Sequence, residues 1–523
     1  MLQDVVRWGC FLVCMAACVE SANILFVIPF SAKSHYISLS PIGLELARRG
    51  HNVTVITAIA EKNPPPNYHQ VMADSPEIWD VLGTEKPNIF TMADMTASEF
   101  QDKILWTGGL AMTEVALKSK PVQEFLKQDN KFDLVISEQF YQEALNVLAY
   151  KYNAPLALVT TIGNCMRHNL LVGNPLQLAT IIGEHLQIRH PSSFTGRLYN
   201  MYHVVRDYLD WKYSFLPKQE ALVKKYFPEL SGAPSLYDIQ RNTSLFLINS
   251  HFSYDTTAAY LPNIVEIGGI HVTNQSLSGI SPDLKKILDE SNHGFIYVNF
   301  GSNVKSSELP IEKKNTFLKI FKNLKQTVLW KWEDDNLENK PENVVIRKWL
   351  PQKDILAHPN IKVFVSHGGL IGTHEAIYYG VPVVGVPIYG DQYYNIVLLE
   401  EAGAGKLLMY HDINEKTLGD TLNEVIHDDS YRRNMKELSR RFKDRPMSPI
   451  DTAIWWLEYV IRNQGAGYMK NPGRELSWIA LYMIDVYVVL AVSMVGIVVA
   501  ITKVVKLMRS PKSVKKNKKQ KAT

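Results

Sequence analysis

Residues 361–392 read IKVFVSHGGLIGTHEAIYYGVPVVGVPIYGDQ. Ile361 to Ser366 is an apolar run of strand length. His367-Gly368-Gly369 is a turn, Leu370 to Tyr379 a helical pattern, and Val383 to Val386 a second strand. The turn falls where a strand ends and a helix begins. Backbone amides and the positive helix end there can hold a pyrophosphate, with glycines permitting close approach. Glu375, roughly two helical turns beyond His367, carries a carboxylate that could accept both hydroxyls of a ribose. Asp391 and Gln392 follow the second strand and offer an acceptor–donor pair suited to sugar hydroxyls. Upstream, Trp349 in Trp349-Leu350-Pro351-Gln352 supplies a flat surface on which a base can stack.

The same alternation continues on both sides. Toward the N-terminus, strands are expected at Ile24–Pro29, Asn52–Thr57, Leu134–Ser137, Leu156–Thr160, Leu245–Asn249 and Ile264–Ile267. Helices are expected at Ile37–Arg49 and Tyr141–Tyr152, while residues 160–240 are aromatic-rich and show no clear period. After a polar linker over residues 271–284, alternation resumes at Phe295–Phe300, Thr327–Trp332, Val344–Ile346, Ile361–Ser366, Val383–Val386 and Lys406–Met409. Two successive parallel-sheet patterns predict two doubly wound, Rossmann-like α/β domains, 23–270 and 285–445, facing each other across a cleft. One sheet of more than ten strands would be exceptional. A helix in 446–477, with Trp455 and Trp456, is expected to pack back on the first domain.

The ends assign an address. Residues 1–22 have Arg7 in a short basic region, an apolar run from Cys10 to Val19, and small residues after it, the pattern of a secretory signal. Trp478 to Ile501 is apolar and long enough to cross ~30 Å of hydrocarbon, with Asp485 interrupting it. Residues 502–523 hold nine Lys/Arg and no acid. That places the tail in the cytosol and the body in the lumen. The terminal Lys519-Gln520-Lys521-Ala522-Thr523 is similar to dilysine retrieval signals of the endoplasmic reticulum. Acceptor sequons begin at Asn52, Asn242 and Asn274, the last in the most polar setting.

Composition excludes several classes. The 523 residues are 46% hydrophobic and 21% charged, ordinary for a globular body. The net +4 becomes −5 without the basic tail, which argues against a nucleic-acid-binding body. Cys10, Cys14 and Cys18 lie in the signal, leaving Cys165. One cysteine excludes an internal disulfide framework and a zinc cluster. The first strand-to-helix turn, Pro29 to His35, contains no glycine, so a nicotinamide-dinucleotide fingerprint is absent.

The stretch from Trp349 to Gln392, the segment Gly301-Ser302, His35 after the first strand and the C-terminal anchor with its basic tail together resemble the membrane-anchored animal UDP-glycosyltransferases, in style the invertebrate members. The resemblance implies a fold of GT-B type and transfer of a hexosyl group from a UDP-sugar, UDP-glucose favoured over UDP-glucuronate, to a hydroxyl of a small lipophilic acceptor. It implies an inverting reaction with no metal and no cofactor beyond the UDP-sugar co-substrate, and it is compatible with a homo-oligomer. Carried over to this sequence, Trp349 would stack on uracil and Gln352 would contact the nucleoside. Ser302, His367, Gly368, Gly369 and Thr373 would approach the phosphates, Glu375 the ribose, and Asp391 with Gln392 the sugar. Ile371 and Gly372 stand where many relatives have polar residues.

His35 lies at the carboxyl edge of the first sheet, where a neutral imidazole can take the proton of an attacking hydroxyl. The resemblance makes Glu138 its orienting acid, one methylene longer than the Asp of many relatives. With Ile371 and Gly372, that difference keeps open an alternative, a non-catalytic lipophile- or UDP-binding protein on the same fold. The remaining candidates take plainer readings. His271 is expected in the linker, Tyr393 and Tyr394 as walls of the cleft, and Glu333-Asp334-Asp335 as solvated acids rather than a metal site.

Overall fold

The computed structural model describes residues 21–273 and 279–509, so the signal region, Asn274 and the terminal lysines lie outside the described residues. The chain forms two compact units, one ending at Lys470 and the other beginning at Asn471. The first unit holds two parallel sheets. One contains β1 (Asn23–Ile28), β2 (Asn52–Thr57), β3 (Tyr68–Met72), β4 (Leu134–Glu138), β5 (Leu156–Val159), β6 (Leu245–Ile248) and β7 (Ile264–Glu266), in the order β3-β2-β1-β4-β5-β6-β7. The other contains β8 (Phe295–Asn299), β9 (Thr327–Lys331), β10 (Val344–Arg347), β11 (Ile361–Ser366), β12 (Val383–Gly385) and β13 (Gly405–Leu407), in the order β10-β9-β8-β11-β12-β13. In each, the chain starts near the middle and winds both ways. The central crevice therefore lies beside β1 and β4 in one sheet and beside β8 and β11 in the other.

Helices cover both faces of each sheet, which is why β1, β4 and β8 are apolar without alternation and buried almost throughout. The helices that matter for the site are α1 (Lys33–Arg48), α2 (Phe194–Asp210), α3 (Leu370–Tyr379), α4 (Gln392–Glu401) and α5 (Pro449–Arg462). α5 follows the second sheet in the chain but packs on the first. Ile450, Ala453, Ile454, Leu457 and Val460 share one core with Ile24, Phe26, Leu39 and Ile42. Trp456 packs against that core, whereas Trp455 stays 40% exposed.

Several sequence expectations are revised. β3 reads as polar because it is an edge strand with mostly half-buried side chains. α1 begins at Lys33 rather than Ile37, so His35 stands in a helical first turn and not in a loop. The segment Tyr141–Tyr152 is not one helix. Tyr141 takes φ of 57°, a 3₁₀ turn covers Glu143–Asn146, and only Val147–Lys151 is α-helical. The linker expected from residue 271 begins with a helical turn, Ile270–Thr273, and its His271 is fully buried.

The second unit contains the apolar helix α6 (Ile484–Arg509), which holds an 18-residue window of mean hydropathy 2.6 and is long enough to cross a membrane. The helix starts later than the 478 expected for the span. Trp478–Leu481 forms a separate turn, and Met483 at φ 55° breaks the helix before Ile484. Asp485 thereby falls in the first turn of α6, where a carboxylate complements the exposed amides, and its Oδ1 accepts from Val486 N at 3.0 Å.

Candidate active site

Four strand ends supply the site. β1 leads into α1 and His35, β4 ends in Glu138, β8 leads to Gly301 and Ser302, and β11 leads to His367 and α3. The two carboxyl edges meet. Lys33, two residues before His35, holds its ammonium 5.1 Å from the ring centroid of Trp349, and His35 is close enough for its charge to act on Asp391.

His35 Nδ1 is hydrogen-bonded to Glu138 Oε1, and Thr161 Oγ1 lies 3.2 Å from the same nitrogen. The longer acid therefore reaches its partner. The imidazole packs between Phe30 and Phe140, with ring centroids 4.8 and 4.4 Å away, so it has little freedom to turn. A carboxylate on Nδ1 fixes the tautomer with the proton there and leaves Nε2 as the acceptor.

In the second half, Gly301 and Gly369 clasp His367. A Cβ on Gly301 would come within 2.8 Å of the imidazole, and one on Gly369 within 2.7 Å of Nε2. Gly301 also adopts φ of 97° and Gly368 φ of 87°, conformations that cost other residues energy. Burial, aided by the nearby Lys331, pushes the His367 imidazole down to about 4, so it is neutral at physiological pH. Lys331 ends β9, donates from Nζ to Gly301 O at 3.0 Å and pairs with Glu333 at 2.6 Å. Glu333 is thus not a free solvated acid, whereas Asp334 and Asp335 are exposed as expected. The first intrahelical bond of α3 runs from Thr373 N to Gly369 O at 3.0 Å, so the amides of Leu370, Ile371 and Gly372 precede it. Thr373 is buried and its amide is already engaged, which leaves only its hydroxyl for any phosphate. Ser302 is exposed on the loop beside Gly301.

Glu375 and Gln352 form one device. Gln352 Nε2 donates to Glu375 Oε2 at 2.6 Å, while its Oε1 accepts from Asn299 Nδ2 at 2.6 Å and Tyr297 OH at 3.2 Å. One amide hydrogen of Gln352 remains, so this side chain orients Glu375 more than it reaches a nucleoside. Burial raises the Glu375 carboxyl to about 7. His271 lies 3.6 Å from its Oε1 and donates to Ile371 O at 3.2 Å, beneath the phosphate turn. Trp349 remains 61% exposed, as a stacking platform requires.

Asp391 precedes α4, and its Oδ2 accepts from Asn395 Nδ2 at 2.9 Å; burial pushes its carboxyl up. Asn395 Nδ2 also donates to Gly368 O at 2.9 Å, tying the Asp391 carboxylate to the glycine turn. Gln392 is buried and spends Oε1 on the amides of Ile388 (2.8 Å) and Tyr389 (3.1 Å), so its amide nitrogen is the only donor it could lend a sugar. Tyr394 does more than line a wall, because its hydroxyl donates to Asp255 Oδ1 and accepts from Thr256 Oγ1 of the first half, both at 2.8 Å. Sequence reasoning missed Asn395, Lys331 and His271. Asn395 lies one helical turn after Asp391 and Lys331 lies at a strand's carboxyl end, both readable signals; His271 gave none.

The family model described as "UDP-glucoronosyl and UDP-glucosyl transferase" matches residues 23–520. The chain belongs to that family. A UDP-glycosyltransferase of Dactylopius coccus is 37% identical over 488 residues, covering 91% of this chain and 90% of the relative. UDP-glucosyltransferase 2 of the same organism is 34% identical over 475 residues, with coverages of 91% and 90%. The 2-hydroxyacylsphingosine 1-beta-galactosyltransferase of Rattus norvegicus is 28% identical over 485 residues, with coverages of 91% and 87%. A solved UDP-glucosyltransferase from Polygonum tinctorium superposes with TM-score 0.57 at 16% identity, over 85% of this chain and 99% of its own, which establishes the shared GT-B fold. The protein is a UDP-glycosyltransferase, an enzyme that takes a sugar from a UDP-sugar.

Proposed function

We propose that this UDP-glycosyltransferase moves a neutral hexose, glucose first among them, from its UDP-sugar to a hydroxyl of a small lipophilic acceptor, with inversion and without a metal. The observation that carries the proposal is the His35–Glu138 pair set opposite Asp391 across the cleft. His35 Nε2 takes the proton as the acceptor oxygen attacks the anomeric carbon. Glu138 steadies the imidazolium that results. The bond from that carbon to the diphosphate oxygen breaks on the opposite side, and an α-linked donor gives a β-glycoside and UDP. The amides at the start of α3 offset the charge on the departing diphosphate, work that a cation would otherwise do.

Electrostatics supports the neutral sugar. Asp391 is close enough to Glu184 to raise its carboxyl, and the nearby Arg167 is already paired with Asp207 (2.9 Å) and Glu184 (3.5 Å). A glucuronate carboxylate would enter a site already rich in acids, whereas glucose brings no charge. The aromatic walls Phe30 and Phe140 around His35 suit an apolar acceptor, and the rat relative carries a sphingoid acceptor in its name. The basic residues after α6 favour a lumenal body on the endoplasmic reticulum membrane, with residues 502–523 cytosolic.

The test is transfer by microsomes expressing the full chain, with UDP-glucose, UDP-galactose and UDP-glucuronate, a mixed phenol acceptor, and chelator present or absent. The expected result is chelator-resistant transfer with kcat/KM highest for UDP-glucose. Preference for UDP-glucuronate would overturn the electrostatic reading, and loss of transfer with chelator would overturn the metal-free mechanism.

A further inference from the structure

Acceptor sequons begin at Asn52, Asn242 and Asn274, and the fold separates the first two. Asn52 spends the nitrogen that a glycan would need, because its Nδ2 donates to Asn23 Oδ1 at 2.9 Å. Asn242 follows the short helix Leu236–Arg241, and Lys470 Nζ donates to its Oδ1 at 2.7 Å. That oxygen keeps its lone pairs when the amide nitrogen is glycosylated. The two hydroxyls downstream differ as well. Thr243 Oγ1 donates to Gln240 O at 2.7 Å, a bond the fold uses. Ser244, whose hydroxyl completes the sequon, is buried, and its Oγ finds no hydrogen-bond partner among the described residues. A buried hydroxyl without a partner costs stability that an alanine would not. The use of the Ser244 hydroxyl therefore lies before folding, when the segment is still open to recognition as an acceptor.

An aromatic ladder lies on the surface beside Asn242. Trp455 and Tyr459 of α5 stack with ring centroids 5.2 Å apart, and the hydroxyls of Tyr459 and Tyr468 are 2.6 Å apart. Trp455 is 40% and Tyr468 68% exposed, and Tyr468 stands two residues before the Lys470 that holds Asn242. Aromatic faces edged by hydroxyls suit pyranose rings, whose C–H faces are apolar and whose rims are polar. We propose that Asn242 carries an N-linked glycan whose first sugars lie over this ladder. In the attaching step, Nδ2 attacks the anomeric carbon of a lipid-linked oligosaccharide diphosphate held by a host transferase. The N–C bond forms as the C–O bond to the diphosphate breaks, the lipid diphosphate leaves, and one Nδ2 proton passes to the transferase. The inference rests on the lumenal placement of the body proposed above, because that donor is presented on the lumenal side.

The test uses the full chain expressed in cells, with microsomes treated or not with a glycan-removing amidase and the protein's mass read before and after. Asn242→Gln and Ser244→Ala are each expected to lose one glycan that Ser244→Thr keeps, and Asn52→Gln to lose none. All four variants should bind UDP as the parent does, which certifies their folds. After glycan removal, hydroxyl-radical footprinting of the parent is expected to label Trp455 and Tyr468 several-fold more. Unchanged labelling overturns the covering of the ladder, and a glycan lost in Asn52→Gln but not in Asn242→Gln overturns the site. Trypsin added to sealed microsomes reads the topology separately. A protected body that loses no glycan in Asn242→Gln overturns this inference alone, whereas a digested body overturns the lumenal placement and the glycan with it.

Discussion

Glu375 holds a carboxyl group where burial works against its charge, and this gives the site a pH dependence with a definite sign. Its acidity in the folded chain is about 7, against 4.5 for a free side chain. The stabilisation it contributes is present below about 4.5 and is lost as pH rises through about 7, a loss on the order of 3 kcal/mol. Ribose hydroxyls donate best to the ionised form. UDP affinity is therefore expected to rise roughly tenfold between about pH 6 and pH 8, following the ionised fraction. In Glu375→Gln the rise should vanish and the thermal midpoint at pH 8 should increase. Calorimetric titration of UDP at three pH values checks this, and a flat profile in the parent enzyme would refute it. Across the cleft, His35→Ala should lower transfer by roughly 10²–10⁴ and leave UDP affinity unchanged. Glu138→Gln is expected to be nearly as damaging, because the amide can donate to Nδ1 and move the imidazole proton to Nε2, where it blocks the base. Glu138→Asp should retain part of the activity, and equal losses in the Gln and Asp variants would count against the tautomer argument.

The glycine turn and α3 separate positions that require glycine from one that merely has it. Gly301→Ala places a methyl group against the His367 ring on a backbone at φ 97°, so it should cost about 1–3 kcal/mol and abolish UDP binding. At Gly372 a Cβ would meet only Gln352 Nε2 at 3.4 Å and Phe364 at 3.7 Å, ordinary contacts inside a helix. Gly372→Ala should therefore gain roughly 0.5–1 kcal/mol and keep UDP affinity within about twofold, a contrast that paired melting curves with and without UDP would reveal. The same segment shows why some of this was legible in sequence. β11, the turn and α3 follow from an unbroken apolar run, two glycines and a helical period, all local signals. β1, β4, β5, β6, β8, β9, β11 and β12 are legible in the same way, because strands buried on both faces read as continuous apolar runs. α2 buries Asn200 and His203 beside the single apolar Val204, so its period pointed to no core and the stretch 160–240 stayed unread. His271 touches Glu375 only through the crossing of two distant segments, and no local pattern announces that.

Taken together, the two sheets are locked by elements that belong to one half in sequence and to the other in space. Tyr254 lies between β6 and β7, yet its ring sits in the second-half core with Ile396 and Leu399, and its hydroxyl donates to Asn395 O at 2.8 Å. α5 makes the reverse exchange, following the second sheet and filling the core beneath the first. Arg49 of the first half pairs with Asp451 at the start of α5, and His51 lies 3.4 Å from Glu458. Each half therefore buries apolar surface that only the other supplies, and neither keeps its core if the other unfolds. One cooperative thermal transition is expected for the body, even though the residues proposed to hold UDP all lie in the second half. Leu457→Ala tests this well away from the ligand. Leu457 is fully buried in the first-half core, so its truncation should cost about 2–5 kcal/mol. If the halves unfold together, saturating UDP must raise the midpoint of that variant as it raises the parent's, because a ligand of the folded state stabilises everything that melts with its site. Two transitions, with only the upper one responding to UDP, would show that the halves melt independently and that the exchanged elements do not couple them.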